Sequence, residues 1–243
     1  MPVAIAGYSH VGRVRARNED AIDWDDALGV AVVADGLGGH PAGDVASRLA
    51  VEAVLHMARN ESGGGNWLEA GGDPVSATQL AHQTLLAHGR RHRSTAGMGT
   101  TLVVAVRAPG RVVLAHVGDS RAYRFHAGAL ERLTRDHNAA QEAVSEGRMT
   151  AAQARMSPER HHLTRAVGVD PDVRPERTES VLEADDWLLL ASDGLTGEVD
   201  DAEIESILAE AADPADAARR LVTAAIGHGG RDNVSVVVMP GVG

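Results

Sequence analysis

Three aliphatic segments of this chain end in an acidic residue, and this repeated ending constrains the fold more than any other feature. VAVVADG, VVLAHVGD and WLLLASDG carry Asp35, Asp119 and Asp193 at their ends, and a fourth acid, Asp232, directly precedes the run NVSVVVMP. Short Val- and Leu-rich runs bounded by Gly, Asp or Pro are typical of buried strands. In antiparallel sheets the end of one strand lies beside the start of its neighbour, so these four carboxylates can meet at one sheet edge.

The segments between the strands indicate helices that occur in pairs. Apolar residues recur at helical spacing over residues 41–59 and 73–93, and again over 200–211 and 214–226. Paired helices argue against a parallel sheet, in which one helix follows each strand. We therefore expect an α+β fold of mainly antiparallel sheets covered by helices. Because no linker or repeat interrupts the pattern, we expect a single domain over residues 1–243.

Two further segments do not fit this pattern of strands and paired helices. Residues 60–72, NESGGGNWLEAGG, predict a flexible connection because they are rich in glycine and turn-forming residues. Residues 136–165 are polar and helical in pattern, with Thr150 as a candidate N-cap. They carry too little apolar surface to form a core of their own. We expect this segment to form a helical flap over the body of the protein.

The composition excludes several classes of protein. The 23 basic residues are all arginine and are outnumbered by 34 acidic residues, so that the formal net charge is −11. No arginine-rich stripe interleaved with aromatic residues occurs, and we expect no nucleic-acid ligand. The lack of lysine excludes a Walker-type phosphate loop and Schiff-base chemistry, and the lack of cysteine excludes thiolate zinc sites and cysteine nucleophiles. The apolar runs are only strand-sized and the N-terminus is unlike a signal sequence, so we expect a cytoplasmic protein that does not bind a membrane.

The four acids together favour a metal site. Clustered carboxylates repel one another unless cations lie between them, and oxygen atoms of carboxylates, carbonyls and water are the ligands that Mg²⁺ and Mn²⁺ prefer. Gly36 follows Asp35 and allows the backbone to approach an ion closely enough for its carbonyl to bind. A single Asp-Gly after a strand is usually only a turn, but four strand-end acids are harder to explain that way. The acidic segment DAIDWDDALG lacks the glycine and final glutamate of an EF-hand loop, and predicts a solvated hairpin.

Eight motifs follow one another along almost the whole chain, from about Gly7 to Met239. They are GRVRARNED, VVADGLGGHPAGDVAS, GTTLVVAV, AHVGDSRAYRF, LTRDHN, HHLTRAVG, LLLASDGLTGEV and GGRDNVSVVV. In order and spacing they resemble the metal-dependent serine/threonine protein phosphatases of the 2C type, in their compact bacterial form. The resemblance implies a four-layer αββα sandwich, in which two mainly antiparallel sheets pack face to face and each is flanked by a helix pair, with the flap near residues 136–165.

The resemblance also implies metal ligands at matching positions. Asp35 would bridge two Mn²⁺ or Mg²⁺ ions, and the Gly36 carbonyl would bind one of them. Asp193 and Asp232 would complete the coordination of the other ion. Asp119 matches an acid of the family that, together with Asp193, can hold a third and weaker ion.

Further roles follow from the same resemblance. Glu19 would reach the glycine-bound ion through a water molecule. Arg15 stands four residues before Glu19, as does the phosphate-binding arginine of the family, and its guanidinium can bind two phosphoryl oxygens. Arg13 and Arg17 remain alternatives, because at alternating strand positions all three arginines would share one face. His40 would protonate the leaving seryl or threonyl oxygen.

The expected function is that of a phosphoprotein phosphatase. A water molecule bridging the two metal ions would attack the phosphorus of phosphoserine or phosphothreonine directly, without a phosphoenzyme. The resemblance implies phosphoprotein substrates and a partner serine/threonine kinase whose action the enzyme reverses, and we expect a monomer. Two alternatives remain open: a non-catalytic module that binds a phospho-ligand or senses metal on the same fold, and a phosphomonoesterase for small molecules.

The flap region contains one departure from the family pattern and several histidines. Asn138 follows Asp-His where relatives often carry serine, which bears on how the flap docks. We expect four histidines to be structural or to connect the flap with the body: His116, His137, His161 and His162.

Overall fold

Two antiparallel sheets of five strands each form the centre of the molecule within residues 4–38 and 42–243, the part of the chain that this computed structural model describes. The first sheet contains, in spatial order, β1 (Ala6–His10), β10 (Val234–Pro240), β9 (Trp187–Ala191), β6 (Arg121–His126) and β7 (Ala129–Arg132). The second contains β2 (Asp20–Asp25), β3 (Val30–Asp35), β4 (Leu102–Ala108), β5 (Gly110–Val117) and β8 (Glu176–Leu182).

Two pairs of long helices cover the outer faces of the sheets. The pair on the second sheet is α1 (Gly43–Glu61) and α2 (Pro74–Arg91), and the pair on the first sheet is α6 (Asp201–Glu210) and α7 (Pro214–His228). The shorter helices are α3 (Ala139–Ser145), α4 (Ala151–Met156) and α5 (Asp193–Thr196), and 3-10 turns lie at Arg93–Thr95 and Pro158–His161. The layers therefore run helices, sheet, sheet, helices. The expected α+β fold with a four-layer αββα sandwich is confirmed.

Strand β3 shows why the segment VAVVAD is apolar without interruption. Side chains of a strand alternate between its two faces. Val30 and Val32 belong to the core beneath α1 and α2, whereas Ala31 and Val33 belong to the core between the two sheets. Because both faces of β3 are covered, no position along it favours a polar residue until Asp35 at its end.

The helices begin where the sequence supplies caps. The side chain of Asp73 accepts hydrogen bonds from the backbone N–H groups of Val75 and Ser76 at the start of α2, with proline at the first helical position. Asp213 caps α7 in the same way, accepting from the N–H of Asp216 at 2.8 Å. Such a capping residue followed by proline is a strong helix start. Among the described residues, none of the helices combines the length and the apolar character needed to cross a lipid bilayer.

The connection between α1 and α2 differs from expectation. The sequence predicts a flexible segment over residues 60–72, but Trp67 is fully buried in the core beneath the helices. Its backbone N–H donates to Leu28 O at 3.0 Å, and its indole N–H donates to Glu61 Oε2 at 3.1 Å. One large aromatic side chain therefore packs this glycine-rich loop onto the body, an anchor that the composition of the segment does not indicate.

The flap extends from the first sheet to the second, over residues 136–165. It contains α3, α4 and the second 3-10 turn between β7 and β8. Asn138, where relatives often carry serine, caps α3 by accepting from the N–H of Gln141 at 2.9 Å. Of the two α-helices of the flap, α3 contributes the buried side chains of Ala140 and Ala143, whereas α4 contributes none. The flap therefore rests on the body through α3 and its two ends.

Candidate metal centre

The edge of the sandwich at which strands of both sheets end contains an acidic cavity of about 470 Å³. Among the described residues, seven that the sequence singled out line this cavity: Arg15, Glu19, Asp35, Gly36, Asp119, Asp193 and Asp232. The eighth, His40, lies outside the described residues. The four strand-end acids therefore meet at one edge of the sandwich, as the sequence predicts.

The acids are delivered by both sheets. Asp35 is the last residue of β3, and Asp119 follows β5 in the second sheet. Asp193 follows β9 and opens α5, and Asp232 stands two residues before β10, in the first sheet. The backbone of Asp35 is fixed by the residue that precedes β4, because its N–H donates to Thr101 Oγ1 at 3.0 Å. The cavity thus lies at the boundary between the two sheets.

Two glycines allow the close approach of backbone that the cavity requires. A Cβ atom at Gly36 would overlap the backbone of Gly43, at the start of α1. A Cβ atom at Gly194 would overlap the carbonyl of Asn233, before β10. Only glycine fits at either place, so the residue after Asp35 and the residue after Asp193 set how closely the elements that carry the acids can pack.

Burial and mutual repulsion dominate the electrostatics of the cavity. Burial raises the pKa of Asp35 well above its usual range, and the neighbouring carboxylates of Asp20, Asp193, Asp119 and Asp232 raise it further. The pKa of Asp119 is raised mainly by burial and next by the charge of Asp193. The pKa of Asp193 is raised mainly by burial and next by the charge of Asp232. Carboxylates in such an arrangement stay ionised only if cations lie among them.

Asp20 is a member of this cluster that sequence reasoning missed. It faces Asp35 directly in the β2–β3 register, and its Oδ2 accepts from Ser192 Oγ at 2.9 Å. Burial raises its pKa to about 7. Its other oxygen, Oδ1, is buried and has no hydrogen-bond partner among the described residues. The motif RNED contains two adjacent acids, Glu19 and Asp20. Which of them faces Asp35 depends on the strand register, which the motif alone does not reveal.

The donor set fits divalent cations of the Mg²⁺ and Mn²⁺ class. The cavity offers hard oxygen donors, which are carboxylate oxygens from several strands and the peptide of Gly36 at the cavity wall. One further buried carboxylate oxygen, on Asp20, has no hydrogen-bond partner among the described residues. Among the described residues of the cavity there is no thiol or thioether that would favour a softer metal. The residues present therefore suit the metal ions that the resemblance implies.

Arg15 is the arginine of the N-terminal motif that reaches the cavity. Its Nη2 donates to Asp232 Oδ2 at 2.7 Å, and its guanidinium lies against Gly38. This hydrogen bond raises the pKa of Arg15. Arg13 instead packs near Gly230, and the backbone carbonyl of Arg17 accepts a hydrogen bond from Asn233. The structure thus separates three arginines that the sequence could not distinguish.

Flap residues also line the cavity. His161, in the second 3-10 turn, lies on the wall that contains Asp119 and Asp193. Its Nε2 accepts from Arg160 Nε at 3.0 Å. The sequence groups His161 with three other histidines as structural or as a link between flap and body, and no local pattern distinguishes it. The flap therefore contributes to the cavity itself.

Asn233 is a second residue that sequence reasoning missed, although it stands in the motif GGRDN. It is only 4% exposed. Its Oδ1 accepts from the N–H of Glu19 at 2.8 Å, and its Nδ2 donates to the carbonyls of Val11 and Arg17 at 2.9 Å each. One amide side chain therefore holds the segment with Arg15 and Glu19 against the start of β10.

Asn233→Ala is expected to lower the free energy of unfolding by about 3 kcal/mol, because three backbone groups would lose their partner. Urea unfolding of the protein in EDTA would measure the loss independently of metal binding. Asn60→Ala is the matched control, since Asn60 is exposed and its amide bonds His56 on the surface of α1. A loss below about 0.5 kcal/mol for Asn233→Ala would contradict the bridging role of this amide.

Comparison with known proteins agrees with this architecture. The family model described as Protein phosphatase 2C matches residues 6–226. The chain is 35% identical over 241 residues to the serine/threonine phosphatase stp of Listeria innocua, covering 94% of this chain and 92% of that protein. It is 39% identical over 233 residues to the serine/threonine protein phosphatase PstP of Mycobacterium tuberculosis, covering 96% of this chain but 44% of PstP.

Solved structures give the same result. The crystal structure of the catalytic domain of PstP in complex with two manganese ions superimposes with a TM-score of 0.84 and 36% sequence identity. The superposition covers 97% of this chain and 96% of that domain. The likeness therefore extends over the whole sandwich, including the edge that carries the acids.

Proposed function

The chain belongs to the protein phosphatase 2C family, and from this premise we propose how its own residues carry out hydrolysis. The protein is a metal-dependent serine/threonine protein phosphatase that uses Mn²⁺ or Mg²⁺ and acts on phosphoproteins. The observation that carries the proposal is the cavity in which carboxylates from both sheets meet beside the guanidinium of Arg15. A non-catalytic module would not need this complete set of groups.

In this proposal Asp35 would bind both metal ions, because its pKa is raised by burial and also by four acids that lie close around it. The carbonyl of Gly36, with Glu19 acting through water, would hold one ion. Asp193 and Asp232 would hold the other. Asp119, on the wall beside Asp193, would hold a third and weaker ion. Asp20 supports the arrangement from the neighbouring strand.

When bound, the ions would supply an activated water as the nucleophile and neutralise charge on the phosphoryl group. The protein must then hold the ester in line with that water. Arg15 can do so, because its guanidinium is already held at the cavity by Asp232 and retains donors for phosphoryl oxygens. His40 is proposed to protonate the leaving oxygen, and this proposal rests on the motif GGH alone.

Arg15→Ala is expected to lower kcat/KM for a phosphothreonine peptide by about ten- to hundredfold, through the loss of a charge-assisted pair of hydrogen bonds. Arg15→Lys should recover only part of this loss, because an ammonium group cannot bind two oxygens in one plane. Steady-state kinetics with saturating Mn²⁺ would measure both. Arg13→Ala and Arg17→Ala are the matched controls, and a larger loss in either than in Arg15→Ala would reassign the phosphate contact.

The substrate class follows from the flap. The flap contributes His161, Leu163, Thr164 and Arg165 to the wall of the cavity, and its exposed helix α4 lines a second, separate cleft. The flap therefore offers surface that a polypeptide could contact beyond its phosphorylated residue. We therefore propose proteins rather than small phosphorylated metabolites as substrates. Comparing kcat/KM on phosphopeptides and on sugar phosphates tests this, and a preference for sugar phosphates would favour the small-molecule alternative. Metal-loaded protein that binds phosphopeptides without releasing phosphate would favour the non-catalytic alternative.

Membership of the family also supports a proposal about the partner and the location of the enzyme in the cell. The enzyme would reverse the action of a serine/threonine kinase in the same compartment, and its cytoplasmic location stays a prediction. A single catalytic domain over residues 1–243 is supported by the continuous hydrogen-bond registers within both sheets.

A monomer is supported by the scatter of the large exposed apolar side chains, which lie on separate segments: Tyr8, Val14, Met156, Val169 and Val181. Light scattering would test the monomer, and phosphoproteomics of a deletion strain would identify substrates.

A further inference from the structure

His137 joins the flap to the turn that carries Asp119. The residue is 2% exposed, and its backbone N–H donates to Gly118 O at 2.9 Å. In return, the N–H of Gly118 donates to His137 Nδ1 at 3.2 Å. Both polar groups of the Gly118 residue are thus bound by a single histidine. Since Gly118 directly precedes Asp119, the direction in which Asp119 enters the cavity depends on this contact.

The other contacts of His137 reach the far end of the flap. Its carbonyl accepts from the N–H of Thr164 at 2.9 Å. Its Nε2 lies 3.3 Å from Glu176 Oε2 and 3.2 Å from Arg165 Nη1. The flap begins next to His137 and closes at Thr164 and Arg165. The ring of His137 therefore contacts the turn that carries Asp119, and the backbone and ring of the same residue connect the two ends of the flap.

A second histidine fixes the orientation of the ring. His116 stacks on His137 with ring centroids 4.6 Å apart and planes inclined by 15°, and its Nε2 donates to Arg135 O at 2.9 Å. Burial lowers the pKa of both rings, that of His137 to about 4. A neutral His137 that accepts at Nδ1 must carry its proton on Nε2, where Glu176 can accept it. The ring is therefore held in one tautomer and one plane.

The same cluster has the appearance of a metal site, but its geometry argues against one. Ligand atoms of His116, His137 and Glu176 lie within 4.8 Å of one another. The lone pairs of stacked rings run in nearly parallel planes and cannot converge on one ion. The guanidinium of Arg165 beside His137 Nε2 would also repel a cation. The cluster is better explained as a rigid support.

We propose that His137 is a positioning residue that sets Asp119 for the third, weaker metal ion through the Gly118 peptide, and that it couples this ion to the order of the flap. The inference rests on the proposed role of Asp119. Because coupling between two sites is reciprocal, an ion at Asp119 would order the flap, and an ordered flap would strengthen binding of that ion. The two tightly held ions, bound around Asp35, would be affected little.

Two substitutions separate the two sides of the ring. Asn in place of His137 keeps an acceptor near the position of Nδ1 and loses the Nε2 contacts. Gln extends its amide toward Glu176 and loses the acceptor for Gly118. We expect His137→Gln and His137→Ala to weaken the third Mn²⁺ site about tenfold. We expect His137→Asn to stay within about threefold of the wild-type affinity, since the Gly118 contact is retained.

Counting free Mn²⁺ by electron paramagnetic resonance during titration measures the weak site without reference to activity. Hydrogen–deuterium exchange of residues 139–163 with and without excess Mn²⁺ measures the coupling, and the protection gained with Mn²⁺ should be lost in His137→Gln. His82→Asn is the matched control. His82 is 4% exposed and accepts from the N–H of Gly168 at 3.1 Å, the same kind of contact at a distance from Asp119 along the chain.

The outcomes distinguish the two proposals. If Asp119→Asn leaves the weak site intact, the assigned role of Asp119 fails, whatever His137 does. If Asp119→Asn removes the weak site while His137→Gln binds the third ion like the wild type, the positioning role is overturned. An equal loss in His137→Asn and His137→Gln would also overturn it, since the Nδ1 contact would then not matter. If His137→Ala fails to fold, the Asn and Gln variants decide the question.

Discussion

Replacing Asp35 with asparagine is expected to lower kcat/KM for a phosphothreonine peptide by about a thousandfold or more, and to raise the Tm of the metal-free protein. Activity falls because the carboxylate proposed to bind both ions is lost, and metal-ion catalysis supplies several kcal/mol of the barrier reduction. Stability rises because the pKa of Asp35 is raised by burial and by four neighbouring carboxylates. Removing its charge relieves this folded-state cost.

The two effects are measured separately. Phosphate release in saturating Mn²⁺ gives the activity, and thermal unfolding in EDTA gives the stability. Asp23→Asn is the matched control, because Asp23 lies on β2 near the site in sequence but is exposed to solvent. Activity within tenfold of the wild type would refute the bridging role of Asp35. A lower Tm in EDTA would show that Asp35 stabilises the metal-free fold, contrary to the repulsion argument.

The second large effect is that metal binding reverses the pH dependence of the protein's stability. In the folded protein the pKa of Asp20 is raised to about 7, and the pKa values of Asp35, Asp119 and Asp193 are also raised. Between about pH 4 and pH 7 the folded chain therefore binds more protons than the unfolded chain. Under that condition stability falls as pH rises. Asp20 contributes to this loss together with the acids that interact with it, since its own pKa is raised to about 7.

Mn²⁺ acts in the opposite direction, because metal binding requires deprotonated carboxylates and strengthens as pH rises. We expect the Tm in EDTA to fall between about pH 5 and pH 7.5, and the increase in Tm on adding Mn²⁺ to grow over the same interval. Differential scanning calorimetry across this range would measure both slopes. Asp20→Asn should flatten the EDTA slope. A metal-free Tm that rises with pH would contradict the expected sign and show that the raised carboxyl pKa values do not dominate stability.

Strand β3 illustrates how much of the fold follows from the sequence. Its unbroken apolar run implies a strand covered on both faces, and its terminal acid implies a sheet edge, and both features are present. The paired helices, with capped starts at Asp73 and Asp213, are equally predictable because helical periodicity and caps are local properties. Antiparallel pairing then brings the strand-end acids together.

Other features of the site depend on contacts between distant segments. Asp20 becomes part of the cluster only through the β2–β3 register, and Asn233 becomes a bridge only when β10 meets the N-terminal segment. The choice of Arg15 over its neighbours depends on its ion pair with Asp232, 217 residues away in the chain. Trp67 lies within a glycine-rich segment, where local composition favours a loop but says nothing about the core beneath it.

The division of the acids between the two sheets has a consequence for how the molecule holds together. A chain without cysteine cannot link its halves through a disulfide. Ions bound between Asp35 of one sheet and Asp193 and Asp232 of the other would act as a reversible clasp across the sandwich. Ligands that bind only the folded state stabilise it according to their free concentration. The supply of manganese or magnesium would then determine how long each copy of the enzyme lasts, as well as how fast it works.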